Sequence, residues 1–175
     1  MRTLAAVPPG SRVLHVECGD GRLTEMLFQL GLDVLASDKA EHHVASARRR
    51  LVQAGIEDNI ETRVRRAKPR QLPFSESSFD WVILFRALDI SRHFVEEAVA
   101  IFTEARRMLM PGGWLYVALD VPPDEKMKSD ELALALYSLV GEARLELAES
   151  AAAVKSGDSA LMHAIFRKVD PETPL

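Results

Sequence analysis

The sequence is poor in cysteine, in aromatic residues and in long apolar runs, and each shortage excludes something. Cys18 is the one cysteine in 175 residues, so no internal disulfide framework holds the fold. Aromatic residues make up only 6% of the chain, too few to interleave a basic surface as stacking platforms for single-stranded nucleic acid. No apolar stretch approaches the roughly 20 residues that span a bilayer, and no charged-then-apolar leader opens the chain. Neither a membrane span nor an amphipathic anchor is expected, and a reducing cytoplasm is the simplest compartment. Lys and Arg number 22 against 26 Asp and Glu, a net charge of −4. No global positive excess therefore drives binding to nucleic acid or anionic lipid. Repeats and low-complexity tracts are also missing. What is present is an ordinary globular balance, 47% hydrophobic and 27% charged, at a length that suits one domain over residues 1–175.

Short apolar runs alternate with segments of helical period, the pattern of βαβ units and a mostly parallel sheet. Val13-Leu14-His15-Val16 reads as a first strand, followed by the glycine turn Cys18-Gly19-Asp20-Gly21. Leu23, Met26, Leu27 and Leu30 then share one face of a helix that Gly31 ends. A second strand stops at Asp38, and Val44, Ala47, Leu51 and Ala54 point inward from a helix closed by Gly55. Ile60, Thr62 and Val64 alternate with Glu61, Arg63 and Arg65, which predicts a half-buried strand at a sheet edge. Trp81-Val82-Ile83-Leu84-Phe85 is apolar throughout and predicts a central strand. A helix with Phe94, Ala98, Ile101, Ala105 and Met108 on one stripe follows, stopped by Pro111-Gly112-Gly113. Trp114–Leu119 makes a fifth strand, a helix is expected near 130–140, and 144–148 with 160–166 form a closing antiparallel pair.

Four segments, in this order and spacing, resemble the class I S-adenosylmethionine-dependent methyltransferases. They are VLHVECGDGRLTEML at 13–27, Asp38 at the end of the second strand, LPFSESSFDWVIL at 72–84, and EARRMLMPGGWLYV at 104–117. The match is to the small, methyltransferase-11-like branch, with a degenerate first motif. It implies a doubly wound, Rossmann-like α/β fold with a seven-stranded sheet in the order 3-2-1-4-5-7-6, the last strand antiparallel. It also implies methyl transfer from S-adenosylmethionine, with cofactor contacts at Glu17, Cys18, Gly19, Gly21, Asp38, Lys39 and Phe85. Glycines in such a turn adopt positive φ and let a ligand approach the backbone, although a tight turn needs them equally. Asp38 follows Gly21 by 17 residues, near the spacing that sets an acid on a ribose hydroxyl. A lone Asp at a strand end also commonly caps a helix. Cys18 reads best as a small buried residue.

Three positions depart from the family pattern. His15 stands where an acid opens the first motif, Glu17 replaces its first glycine, and Lys68 replaces an acid that commonly meets the adenine amine. An ammonium has no acceptor, so Lys68 cannot serve that amine. His15 reads as a satisfied histidine at the end of a buried strand, and Glu17 carries the lost negative charge two residues on. Arg86 and Asp89 follow a central strand, where ligands bind in open α/β sheets, and are candidate substrate contacts; a surface ion pair is the commoner outcome. His42, His43 and His93 have no evident partner and read as surface or helix-flank residues. No metal-ligand spacing is present.

Arg63, Arg65, Arg66, Lys68 and Arg70 place five cations in eight residues, and Arg48-Arg49-Arg50 adds three more. They form either a basic face for an RNA or another anionic partner, or a charged edge that blocks strand pairing; the edge reading is favoured. About ten residues precede the first strand, so an open cleft without an N-terminal lid is expected, completed by a large acceptor, a protein partner, a second copy or the 121–131 segment. The alternative to a methyltransferase is a non-catalytic member of the fold that binds a protein partner and has weak or no cofactor binding. A nicotinamide oxidoreductase fits poorly, because Thr24 stands where its motif needs glycine or alanine.

Overall fold

A computed structural model describes residues 7–87, 94–121, 141, 143–156 and 159–169. Strand β1 (Arg12–Val16) is the third strand of a seven-stranded sheet whose order is β3-β2-β1-β4-β5-β7-β6. β1 pairs in parallel with β2 (Asp33–Asp38) and β4 (Phe79–Phe85), β2 pairs with β3 (Val64–Arg66), and β4 pairs with β5 (Leu109–Val121). β7 (Ser159–Lys168) runs antiparallel to both β5 and β6 (Leu145–Ser156). The expected strand order and the antiparallel seventh strand are both present.

The sheet is covered on both faces, which is why its central strands carry no polar alternation. On one face, α4 (Phe94–Met108) sets Ala98, Ile101, Ala105 and Met108 against Leu14, Val82, Leu115 and Phe166, all buried. Phe79, Phe102 and Phe166 are fully buried there, and each such side chain contributes about 1.5–3 kcal/mol. The opposite face takes α1 (Arg22–Gln29) through Leu27 and α2 (Glu41–Gln53) through Val44, Ala47 and Leu51.

Several sequence expectations are corrected. Ile60–Arg63 is a single helical turn, α3, and β3 begins only at Val64. Asn59 in the left-handed region starts that turn, and Arg48 donates to the carbonyls of Glu61 and Val64 at its end. Local bonding here overrides a period-2 pattern of six residues. Ala54 at the end of α2 is exposed. On α1, only Leu27 of the four apolar residues is buried in the core, and Met26 and Leu30 are over 40% exposed. Pro111-Gly112-Gly113 does not stop a helix directly: α4 ends at Met108, and the three residues form an irregularity inside β5 between the Phe79–Leu109 and Trp81–Trp114 pairs. The helix expected near 130–140 and the 122–131 segment lie outside the described residues, as do Asp89 and His93. No helix among the described residues is long and apolar enough to cross a membrane.

Candidate functional site

Parallel pairing aligns the carboxyl ends of β2, β1 and β4, with Val16 opposite both Ser37 and Leu84. The chain leaves β1 toward β2 on one side and β4 lies on the other, so this is the switch point at which open α/β sheets bind ligands. Directly above it is a cleft of about 710 Å³, a size typical of a small-molecule site. Glu17, Cys18, Gly19, Asp38, Phe85 and Arg86 line one part of it. Leu23, Met26, Tyr116 and Leu161 line an apolar part, which is why the apolar stripe of α1 is not wholly in the core.

The turn from β1 to α1 is built on backbone bonds, with Cys18 N–H donating to Ser37 O at 3.0 Å and Gly21 N–H to Cys18 O at 3.1 Å. Its two glycines do different things. At Gly21, φ is +83° and a Cβ would lie 2.9 Å from the Cα and Cβ of Ala47, so this glycine lets α1 pack on α2. At Gly19, φ is +57° and a Cβ would meet nothing within 4 Å, so its flank is open to a ligand. Arg50 of α2 braces the turn by donating to the Asp20 carbonyl at 3.0 Å and pairing with Asp20 and Glu25.

Asp38 is 2% exposed and already engaged. It accepts from Gly19 N–H at 2.9 Å and Ala40 N–H at 2.8 Å, and His43 Nδ1 lies 3.1 Å away. The lone acid thus ties the turn to the start of α2, much as a cap does. His43, read from sequence as a surface or helix-flank residue, stands in the first turn of α2, is the partner of Asp38 and lines the cleft. The helical geometry of the first turn after a strand-end Asp is the signal that finds it.

Glu17 has the opposite character. It holds φ +56° at the position of the motif's first glycine, a conformation non-glycine residues seldom adopt. Its side chain is 11% exposed. Oε2 pairs with Lys39 Nζ at 3.3 Å, and Oε1 is buried with no partner. Burial first, then the charge of Asp38, raise its pKa above the usual carboxylate value, against the pull of Lys39. His15 is 2% exposed and shares a 2.8 Å hydrogen bond with Thr24 Oγ1, the satisfied histidine expected. Desolvation lowers its pKa to about 4, so it is neutral near pH 7. Burial pushes the Cys18 thiol up to about 12, leaving it unreactive.

The structure thus gathers Glu17, Cys18, Gly19, Asp38, Phe85 and Arg86 around the cleft. Gly21 and Lys39, expected as cofactor contacts, are not among its walls, although Lys39 pairs with Glu17, and neither is Lys68, exposed and bridged to Gln71. Arg86 pairs with Asp120 at 2.9 Å and covers the Phe85 ring at 5.5 Å. Tyr116 and Leu161 come from β5 and β7, far apart in sequence, and only the sheet register reveals them. Among the described residues no group of His, Cys, Asp and Glu could hold a metal.

S-adenosylmethionine asks for acceptors toward its ribose hydroxyls and ammonium, close backbone approach, and apolar surface. The unpartnered Glu17 oxygen, the open flank of Gly19 and the Phe85 wall fit that demand. The methyltransferase domain family model matches residues 14–117, more than half of the chain. A ubiquinone biosynthesis O-methyltransferase of Sinorhizobium fredii is 31% identical over 109 residues, 62% of this chain and 41% of that protein. This chain spans about two fifths of the length of the curated relatives it matches. Among solved structures, a putative sarcosine dimethylglycine methyltransferase from Galdieria sulphuraria aligns with TM-score 0.76 at 16% identity, over 97% of this chain and 82% of that one. The [4+2]-cyclase SpnF aligns with TM-score 0.75 at 18% identity, over 96% and 80%; the same fold therefore carries different reactions. With its motifs, its sheet order and the family model in agreement, the chain belongs to the class I S-adenosylmethionine-dependent methyltransferase family.

Proposed function

We propose that this chain is a cytoplasmic methyltransferase, one domain over residues 1–175, that moves a methyl group from S-adenosylmethionine to a hydroxyl of an apolar acceptor. The observation that carries this reading is the two-part cleft, with acids and an open glycine flank at the switch point and an apolar wall beside them. The related ubiquinone biosynthesis O-methyltransferases favour an oxygen acceptor. A large acceptor, a second copy or a protein partner completes the open side.

S-adenosylmethionine brings a methyl group already activated on a sulfonium, so the protein's task is to bind, orient and exclude water. Glu17 and the backbone at Cys18 and Gly19 hold the nucleoside side, Asp38 fixes the turn that presents them, and Phe85 borders it. Leu23, Met26 and Leu161 offer the acceptor a dry surface. Tyr116 keeps its phenolic proton, because burial raises its pKa, and is a neutral donor facing the same space. His15 also adds no charge, since it is neutral and bonded to Thr24. That bond fixes α1 on β1 with threonine at the very position where a dinucleotide motif needs glycine or alanine, which disfavours a nicotinamide enzyme.

A second reading, a non-catalytic protein-binding member of the fold, draws support from the engaged Asp38 and the displaced Lys68. Thermal unfolding separates the readings. S-adenosylhomocysteine at 100 times its Kd stabilises a binding protein by about 2.7 kcal/mol. A rise in Tm with S-adenosylhomocysteine and none with NAD is expected, followed by label transfer from S-adenosylmethionine to a panel of phenols. No rise with either nucleotide supports the second reading and rejects the first.

A further inference from the structure

The two carboxylates at the switch point have exchanged roles. By spacing, Asp38 is the acid expected on a ribose, yet its oxygens already receive Gly19 N–H, Ala40 N–H and His43. A carboxylate offers about four acceptor positions, so with three taken little capacity is left. Glu17 stands one residue beyond β1, and Asp38 ends the neighbouring strand. Its Oε1 is buried and has no partner, while Lys39 holds only Oε2. A buried acceptor without a donor is a standing cost, and here it is compounded by a left-handed backbone at a residue other than glycine. Both penalties fall on the same side chain, which lines the cleft. Strain held at such a position is a mark of function.

The geometry points to Glu17 Oε1 as the acceptor for the ribose diol of a bound nucleoside, in place of Asp38, whose carboxylate instead holds the turn together. This rests on the cofactor reading above. It goes beyond that reading by moving the nucleoside contact onto a residue that replaces a glycine. The raised pKa of Glu17, due first to burial and then to Asp38, agrees with a carboxylate that lacks a donor on one oxygen.

Calorimetry with S-adenosylhomocysteine and 5′-methylthioadenosine, which share the ribose but differ in the amino-acid end, tests this on the wild type, Glu17→Gly and Glu17→Asn. Glycine and asparagine both tolerate φ +56°, and neither side chain reaches the diol as glutamate does. Tm is expected to rise in both variants as strain is relieved, while the affinity for both ligands falls about tenfold or more. A Tm rise with unchanged or tighter binding makes Glu17 a bystander or an obstruction and overturns the inference. Loss of S-adenosylhomocysteine affinity alone places the carboxylate on the ligand's ammonium and overturns the ribose assignment. Absence of any heat with the wild type defeats the cofactor reading itself, and this inference with it; binding by the wild type keeps the two failures apart.

Discussion

At the scale of single residues, the site is made of groups whose charge burial controls. His15 is the clearest case. Its folded pKa of about 4 lies below its ordinary value of 6.5, so the unfolded chain takes up the proton first as pH falls. Stability is therefore intact above pH 6.5 and is lost progressively down to about pH 4, by up to about 3 kcal/mol. Urea unfolding at pH 7 and pH 4.5 should show this loss in the wild type and a smaller one in His15→Asn; equal losses would sink the assignment. Glu17 works with the opposite sign, because its raised pKa favours the folded chain as pH falls toward the unfolded carboxylate range. Cys18, with its thiol pushed up to about 12, is expected to resist iodoacetamide at pH 8 in the native protein and to react once unfolded, as mass spectrometry will read. His15 as a satisfied core residue and Cys18 as an inert one were legible in the sequence, since both stand at the end of an apolar run. The saturation of Asp38 was not, because its donors are backbone groups and a histidine that sequence spacing does not advertise.

Among elements, the unit that matters is the join between helix and strand. Glu104 on α4 accepts the Leu72 N–H at 2.7 Å and binds Arg107 through both oxygens, while Arg107 reaches the Leu72 carbonyl at 3.2 Å. This clamp explains why the Leu72-Pro73-Phe74 and Glu104–Arg107 segments accompany each other: the first is held by the second. Arg107 lowers the Glu104 pKa, and Glu104→Ala, which orphans both the arginine and the Leu72 amide, is expected to cost about 2 kcal/mol in urea unfolding. At the other join, Gly21→Ala should cost about 3 kcal/mol, since a positive φ and a 2.9 Å encounter with the Ala47 backbone combine. Gly19→Ala should cost only about 1 kcal/mol. Long periodic elements such as α2 and α4, and the unbroken apolar strands, were readable from their period. The turn α3 was not, because four residues anchored by Arg48 and Asn59 outweigh an alternation too short to carry a strand.

At the scale of the whole molecule, five of the eight cations on and beside the β3 edge are committed within the fold. Arg48 and Arg50 bond to backbone carbonyls and acids, Arg63 pairs with Asp33 at 2.8 Å, and Arg65 reaches the Pro73 carbonyl and lies 5.4 Å over Phe74. Arg66 donates to the Lys39 carbonyl. A surface so engaged, on a chain of net charge −4, is expected to pass through a heparin column at about 150 mM salt; retention would restore the anionic-partner reading. Fold class was visible in the sequence because apolar strands alternate with segments of helical period, whereas the sheet order came with the family resemblance that the motifs carry. The cleft's apolar half was hidden, because Tyr116 and Leu161 meet it only through long-range register. The division between the two turn glycines reaches past this one protein. A glycine held by the packing of two helices is needed for folding whether or not the site is active, so its presence at position 21 is silent about chemistry. The glycine that faces empty space carries no such obligation, so a larger residue at position 19 would fill the flank of the pocket while leaving the packing of the fold untouched.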